Sequence, residues 1–399
     1  MSNQIVVLGQ DYSAMVCMIN SLKEYDVFAI KRTNKENKIK KCIKRIIIGK
    51  NIESLPQNVK KIEYVTPSMS DEKIINIIKK EYRNFKKGKI IIIPTSDFMA
   101  SLIDKNKEEL DERFIVPTIK GKNNEIIQLM DKGTQKQIAQ KCGLNIITEY
   151  DIKKEKKEYI IPPNIEFPVF IKPKISFLGE KSIMRKCNNI QELKKELKEI
   201  GNNYNCPILI EKFVNIEKEY AILGCSYKNE ITIPGIIEKI DVAKGKNKGV
   251  TLKGKTVPAE KYINIIEKIE KFIKSLKFDG LFDIELYEEN GKMYFNELNL
   301  RFGAEGYGIT GSGVNLPRIY VKKVTNSNTK CNKKLKERIF LSDKANLESY
   351  ESNAISWKEY VSNQKNIDFS FIKTENKKLR FSFKRLELYA KIKKIFKSK

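Results

Sequence analysis

The chain has 399 residues, 77 of them Lys or Arg against 50 Asp or Glu, a formal net charge of +27, and no His. Without imidazole, Ser-His-Asp and Cys-His nucleophiles and HExxH zinc proteases are excluded, so the chemistry falls to carboxylates, Lys, Arg, metal and backbone. Seven Cys (17, 42, 142, 187, 206, 225 and 331), never in a CxxC spacing, imply reduced thiols and a cytoplasmic setting rather than a disulfide framework or a zinc site.

In chain order, residues 1–125 predict alternating strands and helices. Strands are expected at 5–8, 27–30, 45–48, 62–65 and 89–94, and helices at 14–22 and 71–85. The run Lys89-Ile90-Ile91-Ile92-Ile93-Pro94 is the continuous β-branched pattern of a strand covered on both faces. The alternation implies a small α/β sheet. The first turn, Gly9-Gln10-Asp11-Tyr12-Ser13, has one Gly where a dinucleotide fingerprint needs several, so NAD or FAD is not expected there.

Residues 123–142 predict one or two helices stopped by Gly143, and carry Asp131-Lys132-Gly133. The charged, Pro-bearing stretch 151–164 reads as a hinge. An apolar strand at 167–173 then ends in Lys172, costly to bury unless it meets an anion. The loop 174–185 offers Ser176, Gly179 and Ser182, whose amides and small side chains suit closure over phosphates. Another buried strand at 208–210 precedes Glu211, Lys212, Val214 and Glu219. Residues 244–255 are rich in Gly and Lys and predict a mobile loop, either solvated or folding over an anionic substrate. Residues 262–276 form an amphipathic helix pattern.

The stretch 279–317 is the densest in functional residue types. A strand at 281–287, a turn at Glu289-Asn290-Gly291 and a return strand at 294–300 form a hairpin. Side-chain alternation puts Glu297, Asn299 and Arg301 on one face, with Tyr294, Asn296, Leu298 and Leu300 on the other, while Asp283 and Glu285 share a face. A three-residue connection ending in a left-handed Gly291 would set Asp283 opposite Glu297. Hard oxygen ligands (Asp283, Glu297, Asn299) suit Mg²⁺, and Arg301 beside them suits capture of a phosphate or acyl-phosphate oxygen. The alternative is an ordinary hairpin with a solvated carboxylate face.

The C-terminal residues 380–399 are basic, with Leu388, Ile392, Ile395 and Phe396 at helical spacing. Such a helix can lie on an anionic membrane or pack its apolar stripe on its own domain, and packing is the favoured reading. The Lys excess is spread along the whole chain without an RNA-binding signature, so nucleic acid is not expected as the main partner.

With Asp131-Lys132, FPVFIKP, IEKFV followed by EKEYAI, FDIEL and FNELNLRFGAEGYGITGSGVNLP in this order, the chain resembles the ATP-grasp superfamily of carboxylate–amine ligases. Its GYGITGSGVNLP motif looks closer to D-aspartate ligase-like and unassigned amino-acid ligases than to biotin carboxylase, and the resemblance as a whole extends to carbamoyl phosphate synthetase-like members. The similarity covers roughly residues 1–325. It implies a fold of mixed α/β and α+β class, with a small α/β pre-ATP-grasp domain at 1–125. A two-lobed ATP-grasp domain at 126–325 would follow (small lid lobe about 150–222), then a basic extension at 326–399.

The resemblance also implies ATP held by Lys132 and Lys172 at the phosphates, under a lid carrying Ser176, Gly179 and Ser182. Glu211, Lys212 and Val214 would meet adenine, and Glu219 the ribose. Asp283, Glu297 and Asn299 would carry two Mg²⁺ ions, replaceable by Mn²⁺, and Arg301 would stabilise the transferred phosphoryl group together with Lys172. The implied partners are a small carboxylate and an amine, with a homodimer and peripheral membrane contact through the basic helix as further options. Other outcomes are a thiol or carbamoyl-type acceptor, or a nucleotide-holding protein at an anionic surface. Two departures from the family pattern stand out: the lid keeps only Gly179, and Leu300 replaces the Pro of the NPR version of the motif.

Overall fold

The computed structural model describes residues 3–33, 56–85, 87–119, 125–155, 158–175, 183–204, 206–245, 249–327, 331, 334–372 and 377–397. The expected strand at 45–48, Cys42 and the loop residues Ser176, Gly179 and Ser182 lie outside them. Six cysteines are free among the described residues.

The N-terminal sheet holds β1 (Gln4–Gly9), β2 (Val27–Arg32), β3 (Val59–Val65), β4 (Ile90–Pro94) and β5 (Phe114–Ile115) in the order β3-β2-β1-β4-β5, all parallel. β1 and β4 are buried almost throughout, as continuous apolar runs require. The helix Tyr12–Ser21 is buried at every position. It lies in one core with Tyr307, Ile309, Ile319 and Tyr320, which welds the N-terminal sheet to the rest of the chain. A short strand, β6 (Thr118–Ile119), leads out.

The expected helical stretch at 123–142 resolves into two helices, Glu125–Leu129 and Lys132–Lys141. A small antiparallel sheet follows, built from β7 (Glu149–Tyr150), β10 (Val169–Pro173), β11 (Arg185–Cys187) and β12 (Ile208–Lys212) in the order β11-β10-β12-β7. It is backed by the helix Ile190–Asn203. The predicted hinge at 151–164 contains a small antiparallel hairpin, β8 (Lys153–Glu155) with β9 (Glu158–Ile160).

The large sheet comprises β13 (Lys218–Tyr227), β14 (Glu230–Thr232), β15 (Gly235–Val242), β16 (Thr251–Pro258), β17 (Phe278–Glu289), β18 (Lys292–Asn299), β19 (Arg338–Leu341) and β20 (Phe369–Ser370). Its main path runs β18-β17-β13-β15-β16-β19-β20, with β14 on β13 and β6 on β17. The helix Ile263–Leu276 covers one face through Ile266, Ile269, Phe272, Ile273 and Leu276. Part of the expected loop at 244–255 is strand: β16 starts at Thr251 and pairs with β15 and β19. Gly254 marks close packing there, because a Cβ would sit 2.5 Å from the Phe340 ring.

The C-terminal helix Lys377–Lys397 packs inward, with Phe383 and Ala390 buried. Leu388, one residue of the expected apolar stripe, is 54% exposed, and the side chains of Ile395 and Phe396 lie outside the description. Lys391 and Lys394 instead lie over the rings of Trp357 and Tyr350 at 3.8 and 3.5 Å.

Candidate functional site

The β17–β18 hairpin differs from its expected register in an instructive way. Asn290 and Gly291 both have left-handed φ, 51° and 70°, and Glu289 pairs with Lys292, so the loop has two residues. A bulge between Glu285 and Leu286 then shifts the ladder by one. Beyond it Glu285 faces Glu297, and Asp283 faces Asn299. The expected pairing of Asp283 with Glu297 is therefore replaced.

The bulge also re-aims Asn296, which parity had assigned to the opposite face. Its Oδ1 accepts from Lys172 Nζ at 3.0 Å and its Nδ2 donates to Glu285 Oε2 at 3.3 Å. Cross-strand pairing places Glu219 beside Tyr287 and Lys239, and Ala221 beside Glu285. One face of the large sheet thus presents Asp283, Glu285, Glu297, Asn299, Glu219 and Lys239 together.

Facing these carboxylates is a group of lysines. Asp131 caps the helix Lys132–Lys141, its side chain accepting from Thr134 N at 2.9 Å and pairing with Lys174 at 3.0 Å. Positions four apart share a helix face, so Lys132 and Lys136 emerge on the same side. Gln135 locks the helix to β18: its Nε2 donates to Leu298 O and its Oε1 accepts from Leu298 N, each at 2.8 Å. That clamp puts Lys132 Nζ 2.8 Å from Glu297 Oε2.

On the small sheet, Ile171 and Ile210 point into the lobe's own core, so the alternate residues Lys172 and Glu211 share the other face. Lys172 Nζ lies 2.8 Å from Glu211 Oε1, and Lys136 Nζ lies 2.5 Å from Glu211 Oε2 and 2.7 Å from Glu149. Arg301 sits between Asp283 (3.1 Å) and Asp97 (3.2 Å), the latter at the start of the helix that follows β4.

Protonation tendencies divide the site. Burial alone would raise the Glu211 carboxyl, but Lys172 and Lys136 outweigh it and hold it below the usual range. Glu297 is likewise kept low against burial, chiefly by Lys132. Burial lowers the Lys172 ammonium, with Glu211 opposing and Lys136 adding to the shift. Asp283 behaves oppositely: burial and then Glu305 push it well up, against Arg301. Glu285 is also raised by burial despite Lys239, with Glu297 and Glu305 adding repulsion.

Of the residues singled out from sequence, Lys132, Lys172, Glu211, Asp283, Glu297, Asn299 and Arg301 line one region. Glu219 adjoins it through Lys239, at 3.4 Å. Lys212 and Val214 fall at and just beyond the end of β12. The Lys212 N–H donates to Thr148 O, and its exposed ammonium pairs with Glu166. Lys136, Lys239, Glu285, Asn296, Glu305 and Asp97 were not foreseen. The four-residue spacing from Lys132 was a usable signal for Lys136, and parity with Asp283 for Glu285. Asn296 gave none, because its placement depends on the bulge.

The donor set has the chemistry of a Mg²⁺ site. Asp283 is buried, and its Oδ1 has no hydrogen-bond partner among the described residues. With Glu285, Glu297 and Asn299 near it, this is a hard-oxygen site short of positive charge, as Mg²⁺ prefers. Among the described residues no three acidic, His or Cys side chains cage an ion by themselves. The residues therefore fit an ion that completes its shell with water and phosphate oxygens.

Comparison with known proteins agrees with the mixed α/β fold. Residues 137–310 match the model of the ATP-grasp domain. A D-alanine–D-alanine ligase of Staphylococcus carnosus (strain TM300) is 30% identical over 194 residues, covering 45% of this chain and 53% of that protein. The chain thus spans about half the length of this curated relative. Among solved structures, an L-amino acid ligase from Bacillus licheniformis superposes with a TM-score of 0.58 at 13% identity, over 85% of this chain and 78% of that one. N5-carboxyaminoimidazole synthetase from Staphylococcus aureus complexed with ADP gives 0.59 at 19% identity, over 88% and 86%. Residues 137–310 thus carry an ATP-grasp domain, and the mixed α/β fold around it is shared with those solved structures.

Proposed function

We propose that this chain is a cytoplasmic ATP-dependent ligase that joins a small carboxylate to an amine. In this reading a carboxylate oxygen of the acid attacks the γ-phosphorus of ATP. The bond to the bridging oxygen breaks, and ADP leaves with that electron pair. The amine nitrogen then attacks the acyl carbon, inorganic phosphate departs, and the nitrogen loses a proton to give the amide. The first step needs positioning and charge neutralisation rather than a protein nucleophile, which suits a chain without His.

The observation that carries the reading is the meeting of Lys132 and Lys172 with Glu297 and Asn296 where the two sheets face each other. Lys132 and Lys172 would hold phosphate oxygens, and Arg301 would stabilise the transferred phosphoryl group and the acyl phosphate. Glu211, Lys212 and Val214 would border adenine, and Glu219 the ribose. The loop bearing Ser176, Gly179 and Ser182 would cover the phosphates. Asp283, Glu297 and Asn299 would hold Mg²⁺, which when bound neutralises phosphate charge and orients the chain of phosphates. The nearby relatives act on D-alanine or L-amino acids by name, which supports an amino acid as one substrate here.

Phosphate release from ATP and Mg²⁺, screened with pools of carboxylic acids and then with acid–amine pairs, tests the proposal. Release that requires one acid and rises with one amine is the expected result. ATP binding without release in any pool would overturn the small-molecule ligase, and failure to bind ATP would overturn the nucleotide site.

A further inference from the structure

The small lobe and the helix Lys132–Lys141 share a buried charge cluster in which Glu211 has two ammonium partners rather than one. Lys172 reaches one carboxylate oxygen at 2.8 Å and Lys136 the other at 2.5 Å. The Lys136 side chain is 1% exposed and the Glu211 side chain 5%. Lys136 also approaches Glu149 at 2.7 Å as a charge contact. The two lysines reach Glu211 from different parts of the fold, Lys172 from β10 and Lys136 from the helix.

A buried carboxylate stripped of its only cation is strongly disfavoured. If Glu211 relied on Lys172 alone, any phosphate drawing that ammonium away would leave such a charge behind. Lys136 removes the obstacle, because it stays on Glu211 whether or not Lys172 does. It is itself restrained by Glu149 and cannot follow Lys172 to a ligand without giving up both carboxylates.

We propose that Lys136 is a positioning residue for nucleotide binding: it is the standing counter-ion of Glu211 that leaves Lys172 free to turn to a phosphate. The inference rests on the reading of Lys172 as a phosphate ligand. Lys136 acts through Lys172, and its contribution is absent when Lys172 is absent.

The test is ATP binding by calorimetry, with Mg²⁺, on the full chain. Changing Lys136→Met together with Glu149→Gln keeps the cluster's charge balanced while leaving Glu211 to Lys172 alone. Affinity should fall roughly tenfold, the loss of one charge-assisted contact. In a Lys172→Met/Glu211→Gln background, where no buried carboxylate is left stripped, the same pair of changes should alter affinity less than about twofold, since coupled residues are non-additive. Lys136→Arg, which keeps the charge, should bind as wild type within about threefold.

Wild-type affinity in the folded Lys136→Met/Glu149→Gln protein would overturn the inference. So would an undiminished loss in the Lys172→Met/Glu211→Gln background. Should that pair not fold, Lys136→Met with Glu211→Gln removes the cation along with the carboxylate it serves. Binding equal to Glu211→Gln alone is then expected, and a further tenfold loss would refute the role. A wild-type chain that does not bind ATP would refute the nucleotide site instead, and the two failures are distinguishable.

Discussion

The two sides of the site hold carboxylates in opposite circumstances. On the small-lobe side each acidic group has its cation in place: Glu211 meets Lys136 and Lys172, and Glu297 reaches across to Lys132. Both carboxyls are held below their ordinary range. Deeper on the large sheet, Asp283 and Glu285 are pushed up by burial and by Glu305, although Arg301 and Lys239 stand near. Under the proposed function, the difference assigns a place to each of a ligand's charges. An anionic phosphate would compete for lysines that already have partners, whereas a metal cation would relieve carboxylates that repel one another.

Three substitutions probe that contrast, and the largest effect is expected where the sides meet. Glu297 is the carboxylate of the metal-type face that a lysine already neutralises. Glu297→Gln should lower ATP turnover on the order of 10²–10³-fold, the scale seen when one preorganised electrostatic group is lost, while circular dichroism stays unchanged. Wild-type turnover in that folded variant would remove Glu297 from the proposed metal site.

Next in size is Glu211→Gln, which leaves two buried ammonium groups short of a carboxylate. Breaking a buried pair from one side costs about 3 kcal/mol or more, read as a lowered denaturant midpoint. The pH dependence has a definite sign. Because the folded-state value of Glu211 is depressed, its contribution is fully present above the unfolded value of about 4.3. It is lost as pH falls through the lower folded value. The stability gap between wild type and Glu211→Gln should therefore narrow below about pH 4, and a gap that widens there would contradict the assignment.

The charge contrast was only partly legible in the sequence. Buried strands announced themselves through continuous apolar runs, as in β4, and the large-sheet helix through its spacing. Lys172 was visible because a lysine closing an apolar strand asks for an anion. The hairpin's register was not legible: it depends on a two-residue Asn290-Gly291 loop followed by a bulge, and an added residue in the ladder leaves no mark in alternation. Together the shorter loop and the bulge bring Asn296 to Lys172 and exchange the partner of Glu297 from Asp283 to Glu285. Lys136 and Lys239 were hidden for another reason. A lysine in a helix or strand is usually solvated, and only tertiary packing shows which ones are enclosed.

The smallest effect has the opposite sign and sharpens the contrast most. Glu285 stands directly across from Glu297 and adjoins Lys239, whose side chain is 1% exposed and lies 3.8 Å from it. Lys239 has a second carboxylate, Glu219, at 3.4 Å, so Glu285→Gln strands no cation. It removes one of several crowded negative charges and keeps an oxygen and an amide for Asn296, which bonds Glu285 at 3.3 Å. Replacing a half-buried charge that is poorly compensated should stabilise the metal-free chain by at most about 1 kcal/mol, a rise of roughly 1–2 °C in Tm for a protein of this length. Added Mg²⁺ should then stabilise wild type more than the variant, since the variant has less negative charge to relieve. A lowered Tm would mean that Lys239 needs both carboxylates, and the two sides of the site would then be balanced alike.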